Sequence, residues 1–492
     1  MTFLTPWLRK AFFLSAFPLC LGLISPTLLR ADELPDLGES SGVDLPWQTE
    51  RKLGQTLFND IRWNSPDYLD DPEVETYLNT LGRRLGNASP DPSIPFMFFG
   101  IDDLTVNAFA TFGGYIGVNT GLLLSAQSES ELAGVLAHEI SHTAQRHLAR
   151  QISQSKQSST AMLLAMAASI LAARSNSQAG IAGVIGAQAG AMQSQLGFSR
   201  DYEREADRIG IQILEKSGLD PRGMSHFFER LQKSTRLYEN NAPVYLRTHP
   251  LTIERISDMQ NRESKLSSRD LSDSPEFHLI KAKLLAMKGT PDEGVKALEN
   301  KLASDPPMPG ASYYGLAVAQ FRAKNWKDAE KALSEARTHK IQSPLLDRLF
   351  AEIRLAQNDT SGALKAYTAA LVKNPKNPAL VYGHIEALLR LNRNAEAHAQ
   401  AEQRTRQQPS DANAWRLLAK SAAALERKTA EHRAQGEFYA LQGKTVAALE
   451  QMEIGQRAAD GNFYEMSALD ARLHELRRLV LEERRDRQQG LR

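Results

Sequence analysis

From about Pro275 onward, small residues recur at a fixed step of 34 positions. Ala317 and Ala351 are one such pair, Ala336 and Ala370 another, and Ala329, Ala363 and Ala397 carry the step through three successive units. Pro375 and Pro409 keep the same interval. A period of this length, with alanine where two helices cross closely and proline where the second helix ends, is the pattern of stacked helical pairs. One unit cannot bury its apolar face alone, so neighbours must stack into an all-α solenoid with a concave surface. Tyr313 and Trp415 occupy the first large position of the unit, whereas Ile385 and Arg404 stand where small residues are expected. Four to six units are expected between about Pro275 and Asp460. Surfaces of this kind ordinarily hold peptides or proteins.

The period is that of the tetratricopeptide repeat. The rest of the 492-residue chain has to accommodate a different fold, and composition narrows it. With 59 basic against 58 acidic residues the net charge is +1, so no broad basic field supports a nucleic-acid partner. A single cysteine excludes a disulfide scaffold and any thiolate-rich metal site. A transition metal would have to be held by histidine and carboxylate. That cysteine, Cys20, lies in an apolar run that follows Arg9 and Lys10 and ends near Pro26. Basic, apolar, polar is the order of a secretory signal, and the run is short for a membrane span. Residues 1–31 are therefore expected to be a signal peptide, with 32–265 and 266–492 as the two domains of the exported chain.

Trp47 to Leu85 has helical spacing, with Val74, Tyr77, Leu78 and Leu81 on one face. Pro95 to Ile101 is a short aromatic run between Pro and Asp, which predicts a buried strand. A second strand is expected over Gly114, Tyr115, Ile116, Gly117, Val118 and Asn119, its glycines leaving room for another backbone. This strand is expected to receive an extended substrate by β-pairing. Short strands followed by long helices make the segment α+β.

Ser128 followed by Glu131 has the form of a capping box, and Leu132, Val135, Leu136 and Ile140 continue at helical spacing. The predicted helix carries His138-Glu139-Ile140-Ser141-His142, an H-E-x-x-H motif. Four residues apart on a helix, the two imidazoles leave one face and can share an ion, with Glu139 beside them as a general base for a water. A catalytic zinc needs a third protein ligand and one open position. Glu203 is the best candidate, and Asp207, one turn on, is placed to accept a hydrogen bond from a ligating imidazole. Glu205 is expected at the surface. His147, nine residues from His138, falls half a turn out of phase and is expected to face away.

His138-Glu139-x-x-His142 followed by Glu203-x-x-x-Asp207 closely resembles the gluzincin metallopeptidases related to HtpX and the CAAX prenyl protease. Asn107-Ala108-Phe109-Ala110, Gly113-Gly114-Tyr115-Ile116 and Thr120-Gly121-Leu122-Leu123 match the stretch that precedes the zinc helix in that family. The resemblance implies an α+β zinc metallopeptidase (gluzincin) domain followed by the all-α tetratricopeptide-repeat solenoid. It also implies one Zn2+ per chain, with His138, His142 and Glu203 as ligands, Glu139 as base and Asp207 behind a ligand. His249, in Thr248-His249-Pro250, matches a loop histidine that can take the fourth metal position and hold such proteases latent. Members with this domain order are periplasmic endopeptidases of Gram-negative bacteria. They clear misassembled or stalled outer-membrane β-barrel precursors and assist barrel assembly, with the repeats facing the assembly machinery.

Two readings compete with or extend this one. The first is a non-proteolytic periplasmic scaffold or chaperone that works through its repeats and carries a structural or blocked zinc site. The second concerns residues 161–192, where two apolar, Ala-rich runs are each too short to span a bilayer. They are expected to form a packed helical hairpin or mobile flap, or else a loop facing a membrane surface or a partner that gates the site.

Overall fold

The computed structural model describes residues 45–154, 200–235, 243–266, 272–458 and 460–488. The expected signal peptide and the 161–192 segment lie outside these ranges. Helical periodicity over Trp47 to Leu85 resolves into α1 (Trp47–Asn64) and α2 (Pro72–Gly86). Asp71 caps α2 by accepting from the backbone N–H groups of Glu73 and Val74, and Pro72 occupies the first turn. The face bearing Val74, Tyr77, Leu78 and Leu81 is buried, as the spacing requires.

A three-stranded sheet follows, with β1 (Met97–Ile101), β2 (Ala108–Ala110) and β3 (Tyr115–Asn119) in the order β1-β3-β2. β3 runs parallel to β1 and antiparallel to β2. This corrects the expectation that Gly114, Tyr115, Ile116, Gly117, Val118 and Asn119 receive a substrate strand. β3 is the middle strand, so its backbone groups are taken on both sides by the sheet itself. The close approach at Gly117 is real but serves packing, since a Cβ there would lie 2.4 Å from the Phe109 ring. β2, which the sequence pattern did not show as a strand, is an outer strand of the sheet. Its outer groups are set by register. Asn119 N–H donates to Asn107 C=O and Thr111 N–H to Tyr115 C=O, so odd-numbered residues face β3 and Ala108 and Ala110 face outward.

The helices that hold the site come next: α3 (Thr120–Ser125), α4 (Glu129–Ala144), α5 (His147–Gln154), α6 (Arg200–Ser217), α7 (Arg222–Thr235), α8 (Val244–Thr248) and α9 (Ile253–Glu263). α4 starts as predicted at Ser128, whose hydroxyl accepts from Glu131 N–H. The return half of the capping box is displaced by one residue. Glu131 accepts from Gln127 N–H and pairs with Arg230 on α7.

The C-terminal repeats appear as six helix pairs among the described residues: α10 (Pro275–Met287) with α11 (Pro291–Ala303), α12 (Pro309–Arg322) with α13 (Trp326–Thr338), α14 (Pro344–Ala356) with α15 (Thr360–Lys373), α16 (Pro378–Arg390) with α17 (Asn394–Gln407), α18 (Ala412–Ala424) with α19 (Lys428–Leu441), and α20 (Thr445–Ala458) with α21 (Phe463–Gln488). The periodic alanines 317, 329, 336, 351, 363, 370 and 397 are all buried where helices cross. A second 34-residue period is visible only in the backbone. Lys324, Asn358, Asn392 and Glu426, each in the turn inside a pair, have φ between 57° and 64°. Two of the four are not residues that favour this left-handed region, so stacking of the pairs imposes the turn.

Peptidase segment and repeats share one hydrophobic core, continuous from Leu69 to Ile353. A buried ion cluster crosses the same seam. Lys283 on α10 contacts Asp71 (2.5 Å) and Glu73, and Arg348 on α14 reaches Glu73 at 3.0 Å. Farther along, Trp63 of α1 packs edge-on against Phe438 of α19. Substituting Lys283→Met strands buried carboxylates, and the expected cost is about 3–5 kcal/mol. Urea unfolding followed by tryptophan fluorescence checks it; a loss under about 1 kcal/mol would mean that the cluster does not tie the two parts together.

Candidate metal centre and catalytic site

α4 is buried along almost its whole length, which is unusual for a helix carrying two histidines and three glutamates. α6 lies against it at close range, because a Cβ on Gly210 would meet the Met224 side chain at 2.5 Å and the His138 backbone at 3.3 Å. That approach brings the Glu203–Asp207 face of α6 onto the His138–His142 face of α4. His138, Glu139, His142, Glu203, Asp207 and His249 are each no more than 2% exposed.

Four of these converge. His138, His142, Glu203 and His249 each offer a donor atom, and all four atoms lie within 4.8 Å of one another. His138 Nε2 is 3.0 Å from His142 Nε2 and 3.4 Å from Glu203 Oε2, and His142 Nε2 is 3.5 Å from Glu203 Oε1. His138 Nδ1 faces Asp207 Oδ1 at 3.0 Å, so Nδ1–H donates outward and the Nε2 lone pair turns inward. Inward lone pairs this close repel unless a proton or a cation lies between them. Burial disfavours the His138 imidazolium, but Asp207 and Glu203 outweigh it and hold its pKa up at about 9. His142 moves the other way: burial, then the charge of His138, keeps it neutral well below the ordinary histidine range. Burial also opposes the Glu203 charge, yet His249 and His138 hold that carboxyl far below its usual range. Two neutral-capable imidazoles and an ionised carboxylate form a donor set that fits a divalent ion of the zinc type.

Glu139 sits beside the centre. One of its oxygens accepts the N–H of Ala110 at 2.9 Å, from the outward side of β2. The other lies 3.5 Å from His249 Nε2. His249 presents Nδ1 to the centre, 2.9 Å from Glu203 Oε1 and 3.4 Å from His138 Nε2. It follows α8, is stacked on Tyr245 (centroids 4.6 Å, 22° between planes), and Tyr245 N–H donates to Val106 C=O just ahead of β2. The segment thus covers both the metal donors and the approach to β2.

Three residues of the site were not found by sequence reasoning. Arg255 on α9 grips Asp207 with two nitrogens (2.7 and 2.8 Å) and reaches Glu203 at 2.8 Å. An arginine six residues after His249 carries no signal by itself. His147 and Glu205 correct two expectations. His147 is fully buried, with Nδ1 at 2.9 Å from His142 Nδ1 and Nε2 at 3.1 Å from Glu205 Oε2. The out-of-phase count assumed one unbroken helix, but α4 ends at Ala144. Arg146 then adopts φ 53°, held by Glu50 (2.7 Å) and Leu45 C=O, and the chain turns back under His142. Glu205 is half-buried rather than a solvated carboxylate, paired with His147 and Arg150.

Fold and site together define a metalloendopeptidase that carries tetratricopeptide repeats. Residues 70–263 match the family model "Peptidase family M48", and residues 279–344 and 354–421 match tetratricopeptide-repeat models. Over 409 residues the chain is 34% identical to a "Beta-barrel assembly-enhancing protease" of Yersinia pestis, covering 82% of this chain and 84% of that protein. A protein of the same name from Escherichia coli strain K12 is 34% identical over 412 residues, 82% of this chain and 83% of its own. A "Putative beta-barrel assembly-enhancing protease" of Vibrio cholerae is 32% identical over 424 residues, 84% and 87% of the two chains. The chain belongs to the β-barrel assembly-enhancing protease family.

Proposed function

We propose that the chain is a periplasmic zinc endopeptidase that acts in the assembly of outer-membrane β-barrel proteins and degrades their misassembled or stalled precursors. The observation that carries the chemistry is the convergence of His138, His142 and Glu203 with Glu139 alongside. In this reading one zinc is held by those three side chains, Asp207 orients His138, and His249 takes the fourth position in a latent state. Zinc, when bound, supplies acidification of a water and polarisation of the scissile carbonyl. Glu139, buried between Ala110 N–H and His249, takes the water's proton and delivers it to the leaving amine. β2, at the edge of the sheet beside the site, is the strand along which an extended polypeptide would pair once the His249 segment withdraws, with the Ala110 N–H kept on Glu139.

The barrel-assembly role is supported by the names of the relatives and by the repeats. Their outer pairs enclose a cavity of about 410 Å³ lined in part by His398, Trp415, Arg433 and Tyr464. We assign the repeats to contact with the assembly machinery and its barrel precursors. The basic, apolar, polar order of residues 1–31 supports export, and the division near residue 265 accords with where the peptidase and repeat matches end and begin. Metal analysis paired with cleavage of casein and of an unfolded β-barrel protein tests the reading; a metal-free preparation that cleaves as well as the zinc-loaded one would overturn it.

The protonation of His138 has a consequence for loading. Its pKa lies above the unfolded value of 6.5, so the proton's stabilisation of the metal-free fold is complete below pH 6.5 and is lost as pH rises through about 9. Zinc must displace that proton. The apparent zinc affinity is therefore expected to rise about tenfold per pH unit across this window, with about one proton released per ion. Competition against a chromophoric chelator reads the slope, and a flat profile would remove His138 as the proton-holding ligand.

A further inference from the structure

Behind His142, beyond the four converging donors, lie buried His147 and half-buried Glu205. His147 Nδ1 is 2.9 Å from His142 Nδ1, and its Nε2 is 3.1 Å from Glu205 Oε2. Arg150 contacts the same Glu205 oxygen at 3.0 Å. The His147 ring lies flat on Tyr202 (4.5 Å, 13°), and the Arg150 guanidinium is 4.9 Å from the Tyr202 ring centre. Ring position and orientation are thus set from two helices, α5 and α6.

Two facing Nδ1 atoms at this distance share one hydrogen, and the order of donation follows from the ends of the chain. Glu205 can only accept, so His147 donates from Nε2–H. Neutral His147 then has its lone pair on Nδ1 and accepts from His142 Nδ1–H. With Nδ1 protonated, His142 presents its lone pair on Nε2, the atom that points into the donor cluster. The opposite tautomer would put a hydrogen where a cation must sit.

We propose that His147 and Glu205 are positioning residues that fix the tautomer and ring orientation of His142 for metal binding. They do for His142 what Asp207 does for His138. The proposal rests on the zinc reading above. Both histidines are therefore oriented by a carboxylate, one directly and one through an intervening imidazole.

The test uses the full-length chain, stripped of metal and titrated with zinc against a chelator, with the metal-free thermal midpoint recorded alongside. His147→Phe keeps the ring on Tyr202 but removes the acceptor; zinc should bind about 10- to 100-fold more weakly, the usual range for such partners. His147→Asn loses the ring but can set its amide oxygen near the Nδ1 position, and should recover part of that loss. Glu205→Gln retains an acceptor and should lose only a few-fold. If His147 merely fills space, the order reverses, with Phe binding better than Asn, and the relay is wrong. Wild-type affinity in a folded His147→Phe chain would sink it equally. A wild-type chain that binds no zinc removes the metal reading itself, so the two failures are distinguishable.

Discussion

Glu139→Gln will keep its zinc and its fold and will lose about 10²- to 10⁴-fold in kcat/KM for peptide cleavage, the usual share of a general base. At 1.36 kcal/mol per factor of ten, that is roughly 3–5 kcal/mol of transition-state stabilisation. Glutamine is the informative replacement because it matches glutamate in shape. Its amide oxygen can still accept from Ala110 N–H, which holds the native side chain at 2.9 Å. Glu139 is absent from the group of converging donors, so metal content should not change. Only the capacity to take and return a proton is removed. Equal zinc content with more than a tenth of the activity remaining would assign the base to another group, and absence of cleavage in the zinc-loaded wild type as well would favour a scaffold with a blocked site.

His249→Ala will raise cleavage, including self-cleavage. Nδ1 of the imidazole lies 2.9 Å from Glu203 Oε1 and Nε2 lies 3.5 Å from Glu139, so the ring engages both the donor set and the base. With zinc bound, Nδ1 would lend its lone pair to the ion in place of a hydrogen bond to Glu203, and a closing contact to a charged group contributes on the order of 1.5–3 kcal/mol. Its loss should enlarge the open fraction, and with it the initial rate, by roughly 10- to 100-fold until Tyr245 and Val106 limit the remaining closure. The double variant with Glu139→Gln should show none of the gain, which separates release of the latch from a contaminating protease. Unchanged or lower activity in the single variant would mean that His249 serves the open site rather than closing it.

Much of this molecule is local in origin. A 34-residue step in alanines specifies stacked helical pairs, because close crossings leave no room for larger side chains, and all seven of those alanines are buried. H-E-x-x-H on one helix sets two imidazoles on one face by helical geometry alone. An acidic pair one turn apart on a second helix has the same local logic. Where the reasoning depended on continuity, it failed. The helix phase carried from His138 to His147 broke at Arg146, whose left-handed backbone is held by Glu50 and by Leu45, about a hundred residues upstream. The strand patterns found β1 and β3 but not β2, so they could not show that β3 is the interior strand and β2 an outer one.

From its own order of residues the chain determined the helices, the spacing of the metal donors on each helix, and the solenoid, since each depends on neighbours within a few positions. Tertiary structure alone decided the rest. It brought Glu203 onto His138, closed the site with His249, gripped Asp207 and Glu203 with Arg255, and set His147 behind His142. Those contacts join segments from five to over a hundred residues apart around buried charge. Burial makes each unpaired group costly, and only the assembled fold can supply the partner.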